Sequence, residues 1–204
     1  MNTLCNLKPI ENTDKIKIHS GDTQASKIFS LDLARRLKGI DFANRDSIVL
    51  LCIGTDRSTG DSLGPLTGSK LAAAEQDYFT IYGTLDHPVH ASNLNEKLEQ
   101  INSRYKRPLI IALDASLGSL ESVGCVTIGD GSLQPGAGVN KNLPRVGEIH
   151  ITGIVNVGGF MEYMVLQNTR LSIVMNMADI IVEGLLNTIP LMDSTRSQTI
   201  SMPL

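Results

Sequence analysis

The chain has 204 residues, of which 42% are hydrophobic and 19% charged, a composition suited to one globular domain whose core needs no disulfide or metal staple. A net charge of -3 with no polybasic block excludes a nucleic-acid surface from the expectations and leaves a protein or peptide substrate, or a small molecule, as the partner. Three cysteines, with Cys52 and Cys125 inside apolar runs, read as buried free thiols in a reducing, cytoplasmic compartment.

The amino-terminal MNTLCNLKPIENTDK has no uninterrupted apolar stretch, and residues 1–24 are expected as a peripheral tail. Residues 25–38 carry Ile28, Leu31, Ala34 or Arg35, and Leu37 at helical spacing, with Gly39 as the C-cap. The run SIVLLCI (47–53) is a buried-type strand, followed by a helix over 63–75 that tolerates Pro65 in its first turn. A short strand at 80–84, a loop containing Pro88, and a helix over 93–105 capped by Ser92 lead to a strand at 109–113.

VGCVTIGD (123–130) reads as the next strand, and 131–147 is too rich in Gly and Pro for a regular element. A loop of that length in a compact domain is expected to be functional. EIHITGIVNV (148–157) is the last strand, and FMEYMVLQN and LSIVMNMADIIVEGLLN are helices, with 192–204 a polar tail. The alternation predicts one domain over 1–204: a three-layer α/β/α sandwich with a mostly parallel sheet. No segment is expected to span a bilayer. The apolar helices at the carboxyl end can supply a homo-oligomer interface as readily as a core.

Two places carry chemistry. The first strand empties into GTDRSTGDSLGP (54–65), which places Asp61 just ahead of a helix; the strand PLIIALDASLGS (108–119) leads to Asp114. Open α/β sheets bind ligands outside the carboxyl ends of their strands, so parallel neighbours would bring both carboxylates into one crevice. Two carboxylates that close cannot both ionise cheaply, and a pair sharing a proton can activate water while donating to a carbonyl or leaving amine. Gly54, Gly60 and Gly64 would let the loop turn tightly and aim amides at a substrate carbonyl. Thr55, Asp56 and His90 are further candidates for substrate contact, with Asn140 and Lys141 from the long loop. Asp56 and Arg57 also read as a local ion pair.

GTDRSTGDSLGP, IALDAS and TIGDGSLQPGAGVNKNLP resemble the spore germination protease in blocks. With TLDHPVHASNL they are similar, over most of the chain, to the YyaC-type sporulation proteins of endospore-forming bacteria. The wider fold group is that of the hydrogenase-maturation endopeptidases. The resemblance implies an aspartate-dependent endopeptidase acting on small acid-soluble spore proteins, in a sporulating cell or spore, with Asp61 and Asp114 as the carboxylates it depends on. The hydrogenase-maturation relatives add a histidine and hold nickel. Here Gly158, Gly159 and Phe160 open the helix where that histidine is expected, and Gln134 stands where the germination protease has a histidine before its Pro-Gly.

Two rival readings stay open: a non-catalytic protein that keeps the fold to bind a partner, and a metal-dependent endopeptidase using one of His87, His90 or His150. No cofactor is called for, and His87 with His90 is too sparse a set for a structural metal site. His150 reads as a hydrogen-bonded core residue, and Met161, Met164, Met175 and Met177 as core filling. GGF at 158–160 reads as close helix packing. The glycines at 54, 60 and 64 lack the Lys-Ser/Thr of a phosphate-binding loop.

Overall fold

The computed structural model describes residues 15–42, 45–136 and 143–199. Its elements in chain order are β1 (Ile16–His19), α1 (Ala25–Lys38), β2 (Ser47–Cys52), α2 (Leu63–Ala72), β3 (Phe79–Tyr82), α3 (Leu94–Arg104), β4 (Pro108–Gly118), β5 (Cys125–Asp130), β6 (Ile149–Val157), α4 (Glu162–Gln167) and α5 (Leu171–Thr199), with short 3-10 turns at Gly60–Ser62 and Leu120–Ser122.

Side-chain parity along the strands dictates the layers. On β2, Ile48, Leu50 and Cys52 enter the larger apolar cluster with Phe29, Leu33 and Leu37 of α1, Leu63 and Leu71 of α2, and Val174, Met177 and Ile181 of α5. The alternate residues Val49, Leu51 and Ile53 enter a smaller cluster with Leu94 and Ile101 of α3. A strand buried on both faces reads as a continuous apolar run, as SIVLLC does. The result is the expected α/β sandwich, with three helices over one face and a single helix plus part of the long loop over the other.

The six strands lie in the order β1-β5-β6-β4-β2-β3. The β2–β3, β2–β4 and β4–β6 pairs are parallel; β5–β6 and β1–β5 are antiparallel. From β2 the chain crosses through α2 to β3 on one side, then returns through α3 to β4 on the other. Right-handed crossovers running in opposite directions put their helices on opposite faces, which is why α2 and α3 belong to different clusters. The order reverses between β2 and β4, and a crevice opens at their carboxyl ends.

Several expectations are corrected. Residues 16–19, within the expected tail, form an edge strand on β5. The core face of α1 is Phe29, Leu33 and Leu37, all fully buried, whereas Ile28 and Leu31 are exposed. Asn93, not Ser92, is the N-cap of α3. The last helix does not stop at the expected tail but runs through Pro190 to Thr199. Its stretch Leu171–Asp193 is long and apolar enough to cross a membrane by length and composition, contrary to the sequence expectation. Val174, Met177, Ala178, Ile181 and Leu185 nevertheless face the core, as in a core helix. Cys52 and Cys125 are free and buried, and burial raises the pKa of the Cys52 thiol.

Candidate active site

Asp114 does not end its strand. β4 continues to Gly118, because β6 runs alongside it: Asp114 pairs with Thr152, and the ladder continues past a register shift between Ser116 and Leu117. It is β2 that ends. Cys52 pairs with Leu113, the Ile53 amide donates to the Leu113 carbonyl (2.7 Å), and the chain then leaves the sheet at Gly54. Asp114 is thus the first residue of β4 with no β2 neighbour. By parity it continues the row Ile110–Ala112 on the α3 face, where cover is thin.

The loop after β2 folds back on itself through glycine. Gly54 has φ 143°, its amide donates to the Val89 carbonyl (2.8 Å), and a Cβ there would lie 2.0 Å from the Asp61 carbonyl oxygen. Thr55 closes the loop by donating its amide to that same Asp61 carbonyl (3.0 Å). At Gly64 a Cβ would lie 2.1 Å from the Ile53 carbonyl oxygen, so only glycine lets α2 start directly on the end of β2. Asp61 is carried on the 3-10 turn between these two points.

Both carboxylates line a cavity of about 1050 Å³. Asp114 is 8% exposed, and burial first, then the negative charge of Asp61, holds its carboxyl well above the usual range. Amides of Ala115 (2.9 Å to Oδ1) and Gly136 donate to it and partly offset that rise. The Gly136 bond brings the long loop over the site, and Leu133, Gln134 and Leu143 form part of the wall.

The expected contact residues divide. Gly54, Thr55 and His90 line the cavity; Asp56 and Gly60 do not. Asp56 is exposed and forms no pair with Arg57, which lines the cavity instead. Gly60 faces α4: a Cβ there would lie 2.8 Å from Thr169 Oγ1 and 3.0 Å from the Leu166 carbonyl oxygen. Asn140 and Lys141 lie outside the described residues. Sequence reasoning missed Asn93, whose Oδ1 accepts from the His90 amide (2.8 Å) and whose Nδ2 donates to the Pro88 carbonyl (3.0 Å), fixing the turn that presents His90. The usable signal was the ASN sequence, where either polar residue can cap a helix.

The fourth wall comes from Gly159, Met161, Glu162, Tyr163 and Met164. Met161 and Met164 are exposed, not core filling, whereas Met177 is fully buried as expected. Gly159 makes no close packing contact and instead has φ 138°.

A metal does not fit this donor set: among the described residues, no three His, Cys, Asp or Glu side chains are grouped to hold one. His87 is exposed outside the cavity. His150 is buried, its Nδ1 within 2.9 Å of the Gly131 carbonyl oxygen, and burial lowers its pKa, in keeping with a core residue.

An α/β protein with a buried carboxyl and a second carboxylate in a switch-point cavity is the class that fold and geometry define. The chain belongs to the family described as "Protein of unknown function (DUF1256)", whose model matches residues 17–184. It is 62% identical over 138 residues to the uncharacterized protein YyaC of Bacillus subtilis (strain 168), covering 68% of this chain and 67% of that protein. Among solved structures it is similar to the [NiFe] hydrogenase maturation protease HycI from Thermococcus kodakarensis KOD1 (TM-score 0.45, 16% identity, 78% of this chain and 99% of that one). It is also similar to a hydrogenase 3 maturation protease (TM-score 0.40, 19% identity, 67% and 87%). At these scores neither likeness bears on the chemistry of the cavity.

Proposed function

We infer that the protein is an aspartate-dependent endopeptidase with Asp61 and Asp114 as its working pair. The observation that supports this most is geometric: a buried Asp114 and Asp61 line one cavity roomy enough for a peptide, where burial and the Asp61 charge raise the pKa of Asp114. Such a pair holds one proton between two groups, which is what peptide hydrolysis by water requires.

In this reading Asp61 accepts a proton from water as the water oxygen bonds to the scissile carbonyl carbon. Asp114 donates its proton to the carbonyl oxygen, giving a gem-diol. The diol returns a proton to Asp114 as the C–N bond breaks, and Asp61 passes its proton to the leaving nitrogen; the products are one carboxylic acid and one amine. Both aspartates end as they began. Arg57 and His90 line the same cavity and would contact the substrate backbone or side chains.

The sporulation setting rests on the motif resemblance to the germination protease and the YyaC-type proteins, and makes small acid-soluble spore proteins the first substrates to try. Gln134 in the cavity wall, where that protease has a histidine, favours a second reading: a peptide-binding protein without turnover.

Intact-mass spectrometry of a small acid-soluble spore protein incubated with the enzyme tests the choice. Defined fragments are expected with the parent protein, and a loss of at least about a thousandfold in rate with either Asp61→Asn or Asp114→Asn. Unaltered substrate with all three proteins at both acid and neutral pH leaves the binding reading. Equal cleavage by parent and variants would overturn the pair.

A further inference from the structure

The segment from Phe160 to Met164 turns its apolar side chains to solvent: Phe160 is 86% exposed, Tyr163 64%, Met161 53% and Met164 49%. Single exposed apolar residues are ordinary, but a contiguous set at the rim of a cavity marks a binding surface. Two observations connect this set to the carboxylate pair. Met161 and Met164 line both the carboxylate cavity and a second, outer groove of about 570 Å³ whose walls include Val157, Phe160 and Val165. The two concavities therefore meet along the methionines, and one extended chain could occupy both.

The second observation is backbone strain. Met161 is the one non-glycine with positive φ among the described residues, at φ 54° and ψ 43°. The left-handed conformation costs a non-glycine residue about 1 kcal/mol or more and persists where the surroundings fix it. Here the Glu162 carboxylate accepts the Gly159 amide (3.2 Å) across the turn. The effect is to hold the methionines at the junction of groove and cavity.

We propose that the outer groove, with Phe160, Met161 and Met164, is a subsite for a bulky aliphatic or aromatic side chain of an extended peptide whose backbone passes Asp61 and Asp114. This rests on the reading of the cavity as a peptide site. Methionine suits the task because its unbranched, polarisable side chain repacks around apolar groups of different shape. An extended peptide is preferred over a second copy of the chain because the apolar surface continues into a concave polar cavity, which a strand-like ligand can follow and a folded face cannot enter.

The test is selection of random twelve-residue displayed peptides on the Asp114→Asn protein, followed by fluorescence anisotropy with the enriched sequences as labelled synthetic peptides. The enriched peptides are expected to share a bulky apolar residue at a fixed position. A Phe160→Ser/Met164→Ser double substitution, in side chains exposed enough to leave folding intact, is expected to weaken their binding at least tenfold with an unchanged melting temperature. Enrichment without an apolar residue, no enrichment, or equal binding by the double variant would overturn the proposal. So would sedimentation showing a dimer that the double variant dissociates, which assigns the patch to self-association. The binding readout requires no turnover, so the two readings fail separately. Apolar peptides that bind through this groove yet remain uncut sink the peptidase alone. A spore protein cut with the same KM by parent and double variant sinks the subsite alone.

Discussion

The two walls that flank the cavity are built on opposite plans. The loop from Gly54 to Gly64 is polar in sequence but locked in structure: glycine is required at both ends, the Asp61 carbonyl closes the loop on Thr55, and the turn carrying Asp61 is held under α4. The segment from Gly158 to Met164 is apolar in sequence but exposed in structure, with large side chains in solvent and little behind them. Under the proposed reading, the difference teaches that the chemistry and the recognition surface are separable. Charges whose spacing determines a shared proton need a rigid frame, while a surface that receives varied side chains does not.

The comparison breaks most visibly if both walls answer a substitution alike. Gly64→Val places atoms where the Ile53 carbonyl stands 2.1 Å from an ideal Cβ, and backbone cannot yield as a flexible side chain can. The expected loss is about 3 kcal/mol or more of unfolding free energy, read from urea denaturation. Met164→Ser on the opposite wall is expected to change stability by less than about 0.5 kcal/mol, as surface substitutions do. Similar losses at both positions would mean the outer wall is as much a frame as the inner one.

A smaller effect sharpens what the inner wall is for. The folded-state pKa of Asp114 is raised, so over a window above the ordinary carboxylate range the native protein holds a proton that the unfolded chain has released. Stability therefore falls as pH rises from about 4 through the folded-state pKa, the slope carrying the sign of the protons bound by the native state. Asp114→Asn removes that titration. Its stability profile is expected to be flatter over this window and to lie above the parent's on the alkaline side. In the parent, peptidase activity is expected to fall on the alkaline side as the Asp114 proton is lost. Parallel stability profiles for parent and variant would show that Asp114 ionises freely in the fold, and the shared-proton argument would collapse.

Sequence and structure part company along the same line. Asp61 and Asp114 were legible because each is a carboxylate just beyond a long apolar strand pattern, and that pattern survives burial on both faces. The length of β4 was not, because Ala115, Ser116 and Leu117 are paired only to β6 and do not carry a two-faced apolar signature. β1 escaped notice for a related reason: of its four residues only Ile18 is buried, and an edge strand needs no more. The face of α1 was misjudged since Ile28 and Leu31 keep helical spacing as well as Phe29, Leu33 and Leu37 do; which row meets the sheet depends on tertiary packing. Met161 and Met164 failed for the opposite reason. Methionine at helical spacing reads as core, and nothing local reveals that α4 covers a turn with one side and leaves the other in water.

The smallest effect concerns the rim between the two walls, where His90 enters. The Asn93 side chain bonds both the His90 amide and the Pro88 carbonyl, so it stands in for the backbone partners that the turn before α3 lacks. His90 Nδ1 is buried with no hydrogen-bond partner, so the ring's position depends on that turn rather than on its own bonds. Asn93→Ala is expected to cost about 1 kcal/mol in stability, as loss of side-chain hydrogen bonds to the backbone does, and to act on activity through His90. If His90 contacts substrate, Asn93→Ala and His90→Ala should each raise KM, and the double variant should do no worse than His90→Ala alone. Asn93→Asp retains the Oδ1 acceptor for the His90 amide but loses the donor to the Pro88 carbonyl, and is expected to recover only part of the loss. Additive KM effects in the double variant would separate Asn93 from the imidazole and reduce it to a structural residue.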